Sequence, residues 1–242
     1  MFPTPNKFAS GEDFQSGTIL LVDKPLGWTS FDVVNKLRHV IRNHFSIKKI
    51  KVGHAGTLDP LASGLLIVCT GKMTKKIDLI MNDDKVYTGE ITFGKTTPSY
   101  DSETEADAEF SVDHLTPKIL RDAVKSMEGA LEQTPPAYSA KKIDGTRAYK
   151  LARQNKPVEM RKNWVTINQF VLEEVDIPKA TFTAGCSKGT YIRSLAHELG
   201  ANVNSGAFLS ALRRESSGEF FVQEAMSIED LEKTIRNIDI AD

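Results

Sequence analysis

The chain has 242 residues, with 31 basic and 32 acidic side chains and a formal net charge of −1. The length fits one large domain with insertions, and the balanced charge excludes a globally basic nucleic-acid-binding protein, although not a local basic patch. The two cysteines, Cys69 and Cys186, lack disulfide or zinc spacing, and no apolar stretch is long enough to cross a membrane. We therefore expect a cytoplasmic protein without a membrane or metal partner.

The first predicted elements are a strand, a helix and a second strand. The apolar run from Thr18 to Val22 favours a strand that breaks at the sequence Lys24-Pro25-Leu26-Gly27. Ser30 is predicted to cap a helix. The apolar positions of this helix follow helical spacing: Val33, Val34, Leu37, Val40 and Ile41. The run "LLIVCT" after Gly64 favours a buried strand.

Between the helix and the second strand, the stretch "GHAGTLDPLASGLL" (Gly53 to Leu66) contains a single aspartate, Asp59. Pro60 disfavours helical backbone at Asp59, so we predict a stiff bend at this position. An Asp-Pro pair alone indicates only a turn. A functional role for Asp59 therefore depends on the rest of the chain.

The middle of the chain predicts a strand, a helix and an irregular insertion. Lys85 to Gly94 alternates as a strand does, and Thr116-Pro117 begins a helix that we expect to end near Gly129. From Gln133 to Met160, prolines, aromatic residues and bases follow no steady period. We expect this segment (133–160) to leave the core, with a helical part from Ala148 to Gln154.

The last third of the chain predicts a strand at Ala180 to Cys186, a turn, and a helix that ends at Gly200. Ser227, with Asp230 three residues later, resembles a capping box that begins a final helix. Strands and helices interleave without an internal repeat. The class is mixed α and β (α+β), with one domain and insertions.

Charge is unevenly distributed along the chain. Lys36 to His54 contains only basic charged residues: Lys36, Arg38, Arg42, Lys48, Lys49 and Lys51. Tyr100 to Glu109 is strongly acidic. Taken alone, each run is either a solvated face or a binding surface.

Cofactor and metal motifs are missing from the sequence. Gly71-Lys72 resembles the end of a phosphate-binding loop, but six residues separate Gly64 from Gly71 and Met73 follows the lysine. We find no dinucleotide fingerprint, histidine-pair metal motif or Gly-x-Ser-x-Gly turn. Any catalysis is therefore expected to use ordinary side chains, without a cofactor or metal.

Five stretches resemble, in order, the motif set of the TruB family of tRNA pseudouridine synthases. They are "DKPLGWTS" (Asp23 to Ser30), "GHAGTLDPLASGLL" (Gly53 to Leu66), "KVYTGEITFG" (Lys85 to Gly94), "PPAYSAKKIDGTRAYKLAR" (Pro135 to Arg153) and "CSKGTYIRSLAHELG" (Cys186 to Gly200). The resemblance covers about residues 17–226. It implies a pseudouridine synthase fold, with a mostly antiparallel sheet, flanking helices and a peripheral RNA-binding insertion at about 133–160. It also implies isomerisation of uridine 55 in the TΨC loop of tRNA without a cofactor. We expect the protein to be a monomer.

The resemblance also implies roles for individual residues. Asp59 matches the catalytic aspartate, which is ionised at neutral pH because an ordinary Asp has a pKa of about 3.9. The carboxylate can attack either the base or the sugar of the target. Arg193 matches its arginine partner, and His54 matches the histidine that fills the gap left by a flipped base. Tyr87 matches the tyrosine that stacks on the base, and its hydroxyl is a candidate acceptor for the C5 proton.

Four further residues match positions that support the site or contact substrate. Leu212 matches an apolar residue of the uracil pocket, and Lys24, Tyr191 and Lys142 lie in matching segments that touch RNA or support the site. The basic run before Asp59 is then interpreted as a set of phosphate contacts.

The chain departs from the family in two places. It ends soon after the last motif, so we expect a short form, a single catalytic domain over residues 1–242 without a C-terminal PUA domain. The acidic loop replaces a threonine-rich version, with Asp101 at the position of the family's aspartate. We expect the loop to point outward or to act after rearrangement, because an acidic loop facing RNA is unfavourable.

Two alternatives remain open from the residues. A non-catalytic tRNA-binding or tRNA-folding module would need the basic run, His54 and Tyr87, but not Asp59. A glycoside hydrolase would need a second carboxylate, such as Asp101, about 5–10 Å from Asp59.

Overall fold

The structure is a computed structural model that describes residues 2–143, 145–154, 156 and 158–239. The chain divides into two compact units. The first unit contains Met1–Lys85 and Arg213–Asp242, and the second contains Val86–Leu212.

The helices and strands alternate irregularly along the chain. The α-helices are α1 (Gly11–Ser16), α2 (Ser30–His44), α3 (Ile77–Met81), α4 (Pro117–Ser126), α5 (Ala148–Ala152), α6 (Ile192–Asn202) and α7 (Ile228–Arg236). The strands are β1 (Ile19–Lys24), β2 (Val52–His54), β3 (Ala62–Thr70), β4 (Lys85–Phe93), β5 (Lys95–Thr96), β6 (Ala108–Glu109), β7 (Gly129–Gln133), β8 (Lys142–Ile143), β9 (Thr146–Arg147), β10 (Asn163–Asp176), β11 (Lys179–Cys186), β12 (Ala207–Ser217) and β13 (Phe220–Phe221). Short 3₁₀ helices lie at Gly71–Lys76 and Val222–Glu224.

The first unit is built on β1 and β3, which pair antiparallel and are buried on both faces. Successive side chains of a strand point to opposite faces, so each strand contributes to two apolar clusters. Leu20 and Val22 pack with residues of α2 and α7 on one face. Ile19 and Leu21 pack with the other cluster, which includes Ile80 of α3. This double burial fixes β3 at one end of the connection that carries Asp59, and antiparallel pairing with β3 holds β2 at the other end.

The second unit contains a sheet in the order β12, β4, β11, β10 and β7. Strand β10 pairs antiparallel with both β11 and β7. Phe170 of β10 and Phe182 of β11 make an edge-to-face contact, with ring centroids 5.8 Å apart. Helix α4 packs on β10 and α6. The predicted α+β class with a mostly antiparallel sheet is confirmed.

Two predicted helix boundaries are wrong. Thr29, not Ser30, caps α2, because its hydroxyl accepts the Asp32 N–H while the Asp32 carboxylate accepts the Thr29 N–H. Gly200 does not end α6, which continues to Asn202. A Cβ atom at Gly200 would lie 2.2 Å from the backbone nitrogen of Ala207, so glycine is required there for close packing.

The other boundaries are close to those predicted. Thr116 caps α4 and Ser227 caps α7 through their side chains. Helix α4 ends at Ser126, and Gly129 instead begins β7. The insertion (133–160) contains the β8–β9 hairpin and the short helix α5. Asp144, Asn155 and Pro157 of this predicted insertion lie outside the described residues.

Candidate active site

The loop that carries Asp59 is held through its backbone. The Ser30 hydroxyl donates to the Leu58 carbonyl at 3.0 Å and accepts the Leu58 N–H at 2.8 Å. The Asp59 carbonyl accepts the Ala62 N–H at 3.0 Å, and the Pro60 carbonyl accepts the Gly27 N–H at 2.8 Å. These bonds produce the stiff bend that the Asp-Pro sequence predicts.

Arg214 lies beneath the same loop and was not identified from the sequence. It is 1% exposed. Its Nε donates to the Leu65 carbonyl at 2.7 Å and its Nη2 to the Gly56 carbonyl at 3.3 Å. The only signal in the sequence is the pair Arg213-Arg214 in a strand, where alternation turns one of two neighbours inward.

Lys24 is also buried, at the end of β1, and is 0% exposed. Its ammonium group donates to the carbonyls of Trp28, at 2.6 Å, and Pro25, at 2.9 Å. Burial lowers the pKa of Lys24 to about 8, and the negative charge of Asp59 opposes this shift. Of the two roles predicted for Lys24, this geometry favours support of the site over contact with RNA.

His54 ends β2, five residues before Asp59, and its ring is partly buried. Burial lowers the pKa of His54 below its ordinary value of 6.5. A hydrogen bond with the backbone of Gly56 opposes this shift, and the charge of Arg214 adds to it. The imidazole is therefore neutral at pH 7. A neutral ring costs less to insert into stacked bases than an imidazolium does.

Arg193 lies in the first turn of α6 in the second unit and is 5% exposed. Its guanidinium donates to the carbonyls of Tyr138, at 3.0 Å, and Ser99, at 3.2 Å. It also forms an ion pair with Asp101 at 3.5 Å. The planar guanidinium therefore bonds Tyr138 of the insertion and pairs with Asp101 of the acidic loop at the same time. These contacts make Arg193 a fixed buried cation and not a solvated surface residue.

In the acidic loop (100–109), Asp101 is buried and the other acidic side chains are exposed. Asp101 is 5% exposed and accepts the Ser99 hydroxyl at 2.6 Å and the Glu103 N–H at 2.9 Å. Glu105, Asp107 and the other acidic residues of the loop are exposed, as expected for a loop that points outward.

The remaining predicted residues of the second unit differ in exposure. Tyr87 lies on β4 and is 8% exposed, and Leu212 is partly buried on β12. The backbone of Tyr191 is held by Gln133, which accepts its N–H at 2.7 Å and donates to its carbonyl at 3.1 Å. Lys142 is exposed on the β8–β9 hairpin of the insertion.

The basic residues before Asp59 fall into two groups, one bound within the protein and one lining a groove. The Lys36 ammonium pairs with Glu232 at 2.5 Å, and Arg38 donates to the Val52 carbonyl at 2.9 Å, so both bind within the protein. Lys49 and Lys51 instead line a groove of about 300 Å³. Its lining also includes Lys72 and Lys75 from the segment that resembled a phosphate loop. The groove is a concentrated positive surface in the first unit.

The described residues contain no group of three or more His, Cys, Asp or Glu side chains placed to hold a metal ion. The described helices also include none with the length and apolar character needed to span a membrane.

Comparison with known proteins identifies the family. The family model described as TruB family pseudouridylate synthase (N terminal domain) matches residues 42–192. The chain belongs to the TruB family. Among curated relatives of this TruB-family chain, "tRNA pseudouridine synthase B" of Flavobacterium johnsoniae is 45% identical over 226 residues, covering 93% of this chain and 99% of the relative. The protein of the same name from Parabacteroides distasonis is 46% identical over 220 residues, covering 91% and 94%.

Solved structures confirm the fold of this TruB-family chain. A chain of the "Cbf5-Nop10-Gar1 Complex" superposes with a TM-score of 0.68 at 25% identity. A chain of an "H/ACA RNP bound to a substrate RNA containing 2'-deoxyuridine" gives a TM-score of 0.65 at 23% identity. The matches cover 95% and 96% of this chain and 59% of each solved chain. The predicted pseudouridine synthase fold is confirmed.

Proposed function

We propose that this TruB-family enzyme converts uridine 55 in the TΨC loop of tRNA to pseudouridine, acting as a cytoplasmic monomer without a cofactor. The enzyme class, an isomerase acting on uridine in tRNA, follows from the family and from relatives named tRNA pseudouridine synthase B. The observation that carries the residue-level proposal is the loop of Asp59. The backbone on either side of this carboxylate is held by hydrogen bonds with Ser30, Gly27 and Ala62 of the first unit.

The chemistry needs no atom from outside the nucleotide. The bond between N1 of uracil and C1′ of the ribose breaks, a bond between C5 and C1′ forms, and the proton on C5 leaves while N1 gains one. We assign the nucleophilic role to the Asp59 carboxylate, whose attack divides this difficult exchange into easier steps. The bond that the carboxylate forms, to the base or to C1′ of the ribose, is broken again before the product leaves, so the enzyme is regenerated. A rigid loop suits this role because a nucleophile must be held close to the reacting atom.

The target base must leave its stack before the carboxylate can reach it. We assign His54 to the vacated space, since its lowered pKa keeps the ring neutral. Tyr87 is assigned to stack on the extruded uracil, where stacking on an aromatic ring contributes about 1–3 kcal/mol. The apolar side chain of Leu212 is assigned to the wall of the uracil pocket. Arg193, which its bonds to Ser99 and Tyr138 hold in place, is assigned to stabilise the developing charge.

The basic groove supports a nucleic-acid substrate. Lys49, Lys51, Lys72 and Lys75 line one concave surface. Lysine side chains in such a groove bind backbone phosphates without reading the sequence. We assign the exposed Lys142 of the insertion to the same kind of contact and Tyr191 to support of the adjacent Arg193.

The experiment that tests the position is nucleotide-resolution mapping of pseudouridine in an unmodified tRNA transcript. Conversion is expected at the TΨC-loop uridine, and a transcript with cytidine at position 55 is expected to show none. Conversion at a different uridine would overturn the assignment to position 55. Tight binding with no conversion at any uridine would favour a binding or folding module instead.

A further inference from the structure

The side chain of Arg214 connects the two arms of the loop that carries Asp59. One arm offers the carbonyl of Gly56, three residues before Asp59, and the other offers the carbonyl of Leu65, six residues after it. A single guanidinium donates to both, at 3.3 Å and 2.7 Å. Because a guanidinium is planar and its donors are fixed in a fork, this contact sets the spacing between the arms.

The backbone of the loop is shaped to fit Arg214. Gly56 and Gly64 have φ of +95° and +98°, which L side chains rarely adopt. A Cβ atom at Gly56 would lie 3.3 Å from Nη1 of Arg214, and one at Gly64 would lie 2.4 Å from its carbonyl oxygen. Both arms therefore approach Arg214 more closely than a chain with side chains there could.

Within the described part of the chain, no carboxylate forms a direct ion pair with Arg214. Among the described residues, none of the ion pairs within 4.0 Å involves this guanidinium. A buried charge without a paired carboxylate is costly, and an apolar residue of similar size would avoid that cost. The charge lies beneath the Asp59 loop, where it helps to lower the pKa of the neighbouring Lys24 and His54.

We infer that Arg214 is the positioning residue of the Asp59 loop: its fork holds the two arms at a fixed spacing and so aims the Asp59 carboxylate at the nucleotide. The inference rests on the proposed function, because it assumes that Asp59 reacts. Arg214 itself touches backbone carbonyls, and we assign it no contact with substrate.

The experiment compares wild type with Arg214→Lys in single-turnover pseudouridine formation and in tRNA binding. Lysine keeps the positive charge, but one ammonium cannot reproduce the fork. The rate is expected to fall by at least about ten-fold, since misplacement by about 1 Å can cost about 100-fold. The Kd for tRNA is expected to stay within about three-fold, since the side chain is buried away from phosphates.

A control separates positioning from general destabilisation. Ile235→Ala removes a fully buried side chain of α7 in the apolar cluster of the same unit. It is expected to lower the melting temperature while leaving the rate at low temperature unchanged. An Arg214→Lys rate equal to that of wild type, or a loss no larger than that of Ile235→Ala, would overturn the inference.

Two further readings keep the test decisive. In Arg214→Gln, the NMR titration of His54 is expected to move to higher pH, because a nearby positive charge is lost, whereas in Arg214→Lys it is expected to stay close to wild type.

If neither Arg214 variant folds, Gly56→Ala perturbs the same contact from the loop side and is expected to slow conversion without weakening binding; an unchanged rate would overturn the inference. A wild-type protein that forms no pseudouridine would instead refute the proposed function.

Discussion

The hydroxyl of Ser30 bonds both backbone groups of Leu58, the residue immediately before Asp59. It accepts the Leu58 N–H at 2.8 Å and donates to the Leu58 carbonyl at 3.0 Å, and the side chain of Ser30 is buried. A single side chain in the first turn of α2 therefore satisfies both backbone groups of Leu58, as the backbone of a paired strand would in a sheet. Ser30 and Arg214 together fix the backbone on both sides of the carboxylate.

Ser30→Ala is expected to slow pseudouridine formation and to lower stability. The change leaves a buried N–H and carbonyl of Leu58 without their partner, and each costs about 1–3 kcal/mol. Urea unfolding and single-turnover kinetics measure the two effects.

The neighbouring Thr29→Ala provides a matched control. It removes the cap of α2, which costs about 1 kcal/mol. Within the described structure, the side chain of Thr29 bonds Asp32 and not the Asp59 loop. Its rate is expected to match wild type. Equal rate losses in the two variants would show that the helix, and not the bond to Leu58, matters.

Arg193→Lys is expected to reduce the single-turnover rate by at least about ten-fold with tRNA binding retained. A lysine cannot replace the planar fork that donates to Ser99 and Tyr138 while pairing with Asp101. Filter binding and rapid-quench kinetics separate affinity from rate. Arg121→Lys, at an exposed position of α4, is the control and is expected to behave as wild type. A normal rate in Arg193→Lys would remove this guanidinium from the mechanism.

The stability of wild type relative to Lys24→Met is expected to rise with pH. Burial lowers the pKa of Lys24 from 10.5 to about 8, so between these values the unfolded chain binds a proton that the folded chain has released. Raising the pH from below 8 to 10.5 therefore favours folding of wild type by up to about 3 kcal/mol. Urea titrations across this range measure the difference.

The control for this pH dependence is Lys233→Met, whose side chain is 75% exposed. The stability difference between wild type and Lys24→Met is expected to change with pH by more than the difference measured for this exposed control. A difference for Lys24→Met that does not change with pH would show that the Lys24 ammonium is solvated in the folded protein.

Lys72→Glu combined with Lys75→Glu is expected to weaken tRNA binding and to reduce its salt dependence. The logarithm of the binding constant falls linearly with the logarithm of the salt concentration, and each lost phosphate contact makes this slope less steep by about 1. Binding titrations at several salt concentrations measure both quantities. Lys118→Glu, whose side chain is 85% exposed on α4, is the control. An unchanged slope in the double variant would place the phosphate contacts elsewhere.

Local patterns predicted the elements that carry their own signals. Helices α4 and α7 combine a periodic apolar stripe with a side-chain cap, so their predicted caps, Thr116 and Ser227, are correct. Strand β10 was missed, because an irregularity between Ile167 and Gln169 breaks the two-residue alternation. Gly200 was misinterpreted, since a glycine required by tertiary packing resembles a glycine that ends a helix.

The side chains that hold the Asp59 loop in place, Ser30 and Arg214, could not be predicted from local patterns. The resemblance to the family is the basis on which Asp59, His54, Tyr87 and Arg193 are assigned to the site. However, the bond from Ser30 to Leu58 joins residues 28 positions apart, and the bond from Arg214 to Gly56 spans 158 positions. Such contacts depend on the packed strands β1 and β3, which no single segment of sequence encodes.

The central claim is that the Asp59 carboxylate carries the reaction. The measurement that tests it most directly is single-turnover pseudouridine formation in an unmodified tRNA transcript by wild type and by Asp59→Asn, with tRNA affinity measured in parallel. Asparagine preserves the size of the side chain and removes its charge. The account predicts conversion by wild type, none detectable by Asp59→Asn, and similar affinities for both. Conversion by Asp59→Asn at the wild-type rate would contradict it.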